Sequence, residues 1–337
     1  MKKIMTGIRP TGPLHLGHYK GALEQWVKLQ DDYECYFMLA DIQALTTHSD
    51  SPELIEESVK EVVKDMLSVG LDPSKDNVNF ILQSAIPELS ELTVYLSMIT
   101  PFSWMESNPT IMTEMKNIKK ISTGFMYYPV SQAADILFVS SDPKDSEEPI
   151  LVPVGEDQQP HIRDTNNIVK AFNRTYGPTF VKSKALVGDF SRMVGTDGDS
   201  KMSKSQENAI YLKDKDEELK KKVMSMFTDP NRIHPTDPGT VEGNPVFIYH
   251  DAFNSNKDQL KDFKDRYKKG KVGDVEIKQA LFEVLQEFLS PIQEKRDSYS
   301  DEDIMEILEE GTKKARKEAK TTLNRVKKNM HLDYLSF

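Results

Sequence analysis

The chain has 337 residues, more than one hydrophobic core usually serves, so two domains are expected, the first large enough for a sheet covered by helices. Hydrophobic residues make up 38% and charged residues 29%, and no apolar run approaches the ~18 residues of a membrane-spanning helix, so a soluble protein without a membrane partner is expected. A formal net charge of -10 excludes indiscriminate attraction to nucleic acid and leaves any RNA contact to local basic patches.

The first residues, Met1 to Gly7, carry two lysines but no long apolar stretch and no small-residue cleavage site, which reads as cytoplasmic. Lys3 to Thr6 predicts a first strand, Gly7 to Pro13 a turn-rich loop, Leu16 to Leu29 a helix and Tyr36 to Ala40 a second strand. The single cysteine, Cys35, excludes an internal disulfide and a multi-cysteine zinc site, and its apolar neighbours make it a buried strand residue. Pro52 opens a helix that Gly70 and Pro73 close before a third strand at Asn79 to Leu82.

From Ser84 to Ser146 the chain turns helix-rich, with prolines at 87, 101, 109 and 129, and Ile150 to Val154 restores a buried strand. After Ser205 the strand pattern fades, and Glu217 to Phe227, Val275 to Leu289 and Glu302 to Lys328 read as helices with charged faces. The expected class is therefore α/β: a Rossmann-like doubly wound parallel sheet over 1–205, with a helix-rich insertion at roughly 84–149, followed by an all-α domain over 206–337.

Two segments carry chemistry. In Arg9-Pro10-Thr11-Gly12-Pro13-Leu14-His15-Leu16-Gly17-His18, a proline and glycine loop delivers two histidines to the start of a helix, where unpaired N–H groups and the dipole favour an anion. His15 and His18 are three apart and share a face, so both rings can donate to a polyphosphate, while Gly17 leaves room for an adenine ring. The second segment, Gly195 to Ser205, ends in Lys201-Met202-Ser203-Lys204-Ser205. Its two ammonium groups suit a loop that closes over a substrate and neutralises charge building on a leaving pyrophosphate. Asp135 lies among Ala133, Ala134, Ile136, Leu137 and Phe138, where an unpaired carboxylate is expensive, so a hydrogen-bond donor is expected beside it.

With these segments, together with Tyr128 to Leu137 and Val152 to Gln158, the chain resembles the class I aminoacyl-tRNA synthetases over essentially its whole length, within the small subclass for tryptophan and tyrosine. The resemblance implies activation of an amino acid by ATP with Mg²⁺, and no metal held tightly by the protein. Transfer of the aminoacyl group to tRNA follows, with release of pyrophosphate and AMP. It implies His15, His18, Lys201 and Lys204 as catalytic residues. ATP contacts would come from Arg9, Pro10, Thr11, Gly17, His18, Gly155, Glu156, Asp157, Met193 and Lys201 to Ser205, including Met202 and Ser203.

For the amino acid, the resemblance implies a pocket of Met5, Gln43, Tyr128, Gln132, Asp135 and Gln158, in which Asp135 accepts from an indole N–H. The spacing of Gln132 and Asp135 is shared with tyrosine enzymes. Met5, where those usually have tyrosine, and Gly155-Glu156-Asp157-Gln158 favour L-tryptophan and tRNA(Trp), with tyrosine as the alternative. Many bacterial members of the tryptophan branch have phenylalanine at Met5, glutamine at Arg9, asparagine at His18, histidine at Gln43 and methionine at Gln132. A non-catalytic RNA-binding paralogue, or a nucleotidyltransferase sharing only the histidine motif, are the other classes. The resemblance also implies a homodimer, for which Leu92 to Trp104 could supply an interface. Lys313 to Lys328 of the last helix offers a basic surface to tRNA, although acidic-to-basic order along a helix equally complements its dipole.

Overall fold

Along the second strand Cys35, Phe37 and Leu39 join one buried cluster while Tyr36 and Met38 join another. Alternation with both sets apolar is the signature of a strand covered on its two faces. In this computed structural model β1 (Lys3–Ile8), β2 (Glu34–Leu39), β3 (Val78–Leu82), β4 (Ile150–Val154) and β5 (Ser183–Val187) form one parallel sheet in the order β3-β2-β1-β4-β5. The structure describes residues 1–337 except 117, 119, 120, 189–192, 199–201, 230, 231, 233, 235, 336 and 337, and the side chains of 157 and 205. The strand order reverses between β1 and β4, which opens a crevice at their carboxyl ends.

Helix α1 (Leu16–His18) runs through a π-helical stretch (Tyr19–Leu23) into α2 (Glu24–Leu29), so the predicted helix over 16–29 is present with a wider turn inside it. Then come α3 (Asp41–His48) and α4 (Pro52–Ser68). The insertion holds α5 (Pro87–Ser97), α6 (Phe102–Glu106), α7 (Pro109–Met115) and α8 (Thr123–Leu137). Pro87 and Pro109 begin helices, where the missing N–H costs nothing, and Pro101 caps α6; Pro129 lies within α8. Helix α9 (Gln159–Tyr176) follows β4. The remaining helices are α10 (Asp216–Met224), α11 (Pro245–Phe253), α12 (Lys257–Lys268), α13 (Asp274–Asp297) and α14 (Asp301–Asn329).

The sequence reading did not name β5, α3, α9, α11 or α12. β5 is the least buried strand, with the pattern buried, exposed, two intermediate, exposed, so its apolar signal is weak. α12 has nine charged or amide positions around Leu260, Phe263 and Tyr267, the three residues it buries.

The helices beyond 206 share the core with the sheet. Leu281, Leu285, Leu289 and Ile292 of α13 lie in the same cluster as Ile4, Phe37 and Phe80. α14 returns to the edge strand β3: Thr312 Oγ1 accepts from Leu82 N at 3.0 Å, and Arg325 donates to the carbonyls of Thr179 and Ser140. A Cβ on Gly311 would stand 2.1 Å from the Phe80 carbonyl oxygen, so only glycine lets this helix cover the sheet edge so closely. No helix among the described residues is long and apolar enough to cross a membrane.

Candidate active site

The loop leaving β1 is fixed from three sides. Leu14 N donates to Asp65 Oδ2 at 2.7 Å, Leu16 N to the Ile210 carbonyl at 2.9 Å, and the Leu14 carbonyl accepts from Leu212 N at 3.0 Å. The segment just after the lysine loop thus runs antiparallel beside the histidine motif, with His15 bridged to Tyr211. This pairing joins two motifs that lie far apart in the chain. Gly17 N donates to Met202 Sδ at 3.3 Å, and Lys204 Nζ donates to the Gly12 carbonyl at 2.6 Å. Gly12 has φ +112°, so the turn requires glycine, and the Lys204 side chain lies against it.

His18 N donates to His15 Nδ1 at 3.3 Å and His15 N donates to His18 Nδ1 at 3.2 Å, a reciprocal capping box. Because both Nδ1 atoms accept from backbone N–H groups, both must be unprotonated, which puts the proton of each neutral ring on Nε2. The rings are tilted by 36° with centroids 3.7 Å apart. The first-turn N–H groups expected to bind an anion are engaged here with Ile210, Met202 and His15, because the 208–212 segment and the lysine loop lie against the helix start.

Burial lowers the Lys204 ammonium to about 8, and the nearby Asp65 opposes this shift. Lys201 lies outside the described residues, as do Asp199 and Ser200. The backbone of Ser205 lies in the short helix Lys204–Gln206. Ser203 N donates to Asn208 Oδ1, Thr196 N donates to the Asn208 carbonyl, and Asn208 Nδ2 donates to Asp197 Oδ2, so Asn208 ties the two ends of the lysine loop together. Met193 is buried and its carbonyl accepts from Met202 N. Pro10 is buried and Thr11 half-buried in the loop after β1, and Gly155 and Glu156 are exposed at the end of β4.

Across the sheet, Asp135 on α8 is 4% exposed. Its Oδ2 accepts from Gln43 Nε2 and Gln83 Nε2, both at 2.8 Å, while Oδ1 is buried and has no partner. Burial pushes this carboxyl up to about 7, against the lowering effect of the Gln83 and Gln43 amides. Tyr128 and Gln132 precede Asp135 on the same face of α8, and Met5 is buried in the cluster that includes Ala134 and Tyr36. The Tyr128 hydroxyl donates to Glu114 Oε2 at 3.1 Å and lies 3.4 Å from His161 Nε2. Arg9 Nη2 lies 3.7 Å from Glu114 Oε1. Gln158 is half-buried at the end of the short helix after Gly155.

Several residues of this site escaped the sequence reading. Gln83 follows the end of β3 and gives no motif; Glu114 reads as one more charge on a helix. Asp65 had a visible signal, a carboxylate on the apolar face of α4 between Val62, Val63, Met66 and Leu67. It is fully buried, and Arg296 of α13 donates to it at 2.8 Å and to Glu61 at 2.7 Å. Burial raises the Asp65 carboxyl, and Arg296 and the Leu14 N–H oppose that rise.

The family described as tRNA synthetases class I (W and Y) matches residues 1–290. The chain is 46% identical to a tryptophan–tRNA ligase of Clostridium longisporum, covering 99% of this chain and 98% of that one. It is 42% identical to a tryptophan–tRNA ligase of Treponema pallidum (strain Nichols), covering 98% and 97%. The tryptophanyl-tRNA synthetase of Campylobacter jejuni, solved in complex with ADP and tryptophan, superposes with a TM-score of 0.85 at 31% identity, covering 98% of this chain and 100% of that one. With full-length relatives of one kind and a motif pair that the fold brings into contact, the chain belongs to the class I tRNA synthetases for tryptophan and tyrosine, on their tryptophan branch.

Proposed function

We propose that this protein activates L-tryptophan with ATP to tryptophanyl-adenylate and transfers the tryptophanyl group to tRNA(Trp). The observation that carries this reading is the buried, unpartnered Oδ1 of Asp135. An ionised carboxylate oxygen shut away from water requires a donor, and the indole N–H is one. Gln43 and Gln83 hold the other oxygen, so the acceptor is fixed in direction before the ligand arrives. A site built this way rejects analogues that lack the donor.

At the other end His15 and His18 present Nε2–H groups and Lys204 an ammonium, and these suit the phosphates of ATP. Arg9, Pro10, Thr11 and Gly17 border the same crevice, with Gly155, Glu156 and Asp157 for the ribose and Met193 for the adenine. Mg²⁺ bound with ATP would supply shielding of the phosphate charge. Lys204 leaves the Gly12 carbonyl when phosphates enter, and its charge serves most when pyrophosphate departs. Lys201 and Ser203 act in the same loop.

The division into a catalytic unit over 1–205 and a tRNA-binding unit over 206–337 is part of this proposal. On α14, Arg316, Lys327 and Lys313 are paired with Glu88, Glu91 and Glu309, and Lys314 donates to the Asp76 carbonyl, while Lys317, Lys320 and Lys328 are exposed and suit a phosphate backbone. A cytoplasmic homodimer is the expected form. Val94, Met98 and Phe102 are 46%, 67% and 56% exposed, an apolar set in the region expected to form the subunit contact. Pyrophosphate exchange measured with each proteinogenic amino acid tests the substrate: exchange with tyrosine but not tryptophan would overturn it.

A further inference from the structure

Tyr128, Gln132 and Asp135 stand at i, i+4 and i+7 of α8, so they share one face of the helix, with Asp135 and Tyr128 about 10 Å apart along its axis. Asp135 marks the end for the side chain. At the opposite end, Glu114 of α7 and Arg9 of the loop after β1 place one negative and one positive group beside the Tyr128 hydroxyl. The ion pair is loose: its nitrogen and oxygen are 3.7 Å apart, and the side chains are 42% and 29% exposed. A half-exposed pair at that distance is held weakly, and both charges remain available to a ligand carrying their complements. An amino acid brings an ammonium and a carboxylate on adjacent atoms.

We propose that Glu114 and Arg9 form the main-chain end of the amino-acid pocket, Glu114 binding the α-ammonium together with the Tyr128 hydroxyl and Arg9 binding the α-carboxylate. The inference rests on the reading of this face of α8 as the amino-acid site. Insertion of the zwitterion between the two side chains exchanges one loose internal pair for two external ones. Burial and the adjacent Glu114 carboxylate hold the Tyr128 phenol well above its ordinary range, so it stays a neutral hydroxyl while bound.

Three ligands separate the two charges: tryptophan, tryptamine, which lacks the carboxylate, and indole-3-propionate, which lacks the ammonium. Their dissociation constants for the full-length protein are measured by calorimetry or as inhibition constants in pyrophosphate exchange. Glu114→Gln is expected to weaken tryptophan and tryptamine roughly tenfold or more and to leave indole-3-propionate unchanged or tighter. Arg9→Gln is expected to weaken tryptophan and indole-3-propionate and to spare tryptamine. Equal losses for all three ligands in Glu114→Gln, or no loss for any, overturn the proposal. If the unaltered protein prefers tyrosine, the substrate reading fails alone, and the same comparison with tyrosine, tyramine and 3-(4-hydroxyphenyl)propionate decides the role of Glu114.

Discussion

Replacing Asp135 by asparagine reverses the polarity of the pocket with almost no change in volume. Two glutamine N–H groups converge on Oδ2, so the single amide oxygen of asparagine must take that place, and its NH₂ group then occupies the position of Oδ1. An indole N–H would meet a donor instead of an acceptor. The lost charge-assisted hydrogen bond is about 1.5–3 kcal/mol and the unpaired buried donors add about 1–3 kcal/mol, so kcat/KM for tryptophan should fall roughly 70- to 25,000-fold. The free protein should respond in the opposite direction. The folded-state pKa of Asp135 is raised from 3.8 to about 7, so its stabilising contribution is complete below ~3.8 and is lost as pH rises through about 7. At pH 8 the buried charge costs on the order of 4 kcal/mol, an upper bound on what Asp135→Asn restores. Tryptophan-dependent pyrophosphate exchange and thermal melting at pH 8 measure the two effects. A variant that keeps kcat/KM within a few fold of the parent, or that melts well below it, refutes the reasoning.

The same group gives a pH dependence: kcat/KM for tryptophan should fall as pH drops through about 7, because protonation of Oδ1 turns the acceptor into a donor, and in Asp135→Asn this step should vanish. Lys204→Ala should lower kcat for adenylate formation roughly 100-fold or more with a much smaller change in the KM for ATP; equal losses in both would assign the lysine to ground-state binding. Gly311→Ala should destabilise the protein by about 1–3 kcal/mol, because the new Cβ lies 2.1 Å from the Phe80 carbonyl oxygen and α14 must move off β3. Denaturation midpoints equal to those of the parent would show that this contact is dispensable.

Much of the architecture was legible in the chain itself. Apolar runs bounded by glycine and proline marked four of the five strands, Pro52 marked the start of α4, and the fading of strands after Ser205 marked the helical end. The histidine and lysine motifs were visible as residue types with a shared chemistry, and Asp135 as a carboxylate in an apolar run. Such features are local: hydrophobic period, turn chemistry and charge are properties of neighbours in sequence. Strand order, the closure of the sheet edge by α14, the pairing of Leu14 to Leu16 with Ile210 to Leu212 and the convergence of Gln43 and Gln83 on one oxygen of Asp135 were decided only by tertiary structure. Each depends on where a distant backbone or side chain comes to rest, and burial then fixes what a local carboxylate or lysine becomes: an acceptor at Asp135 with its pKa near 7, and at Lys204 an ammonium lowered to about 8.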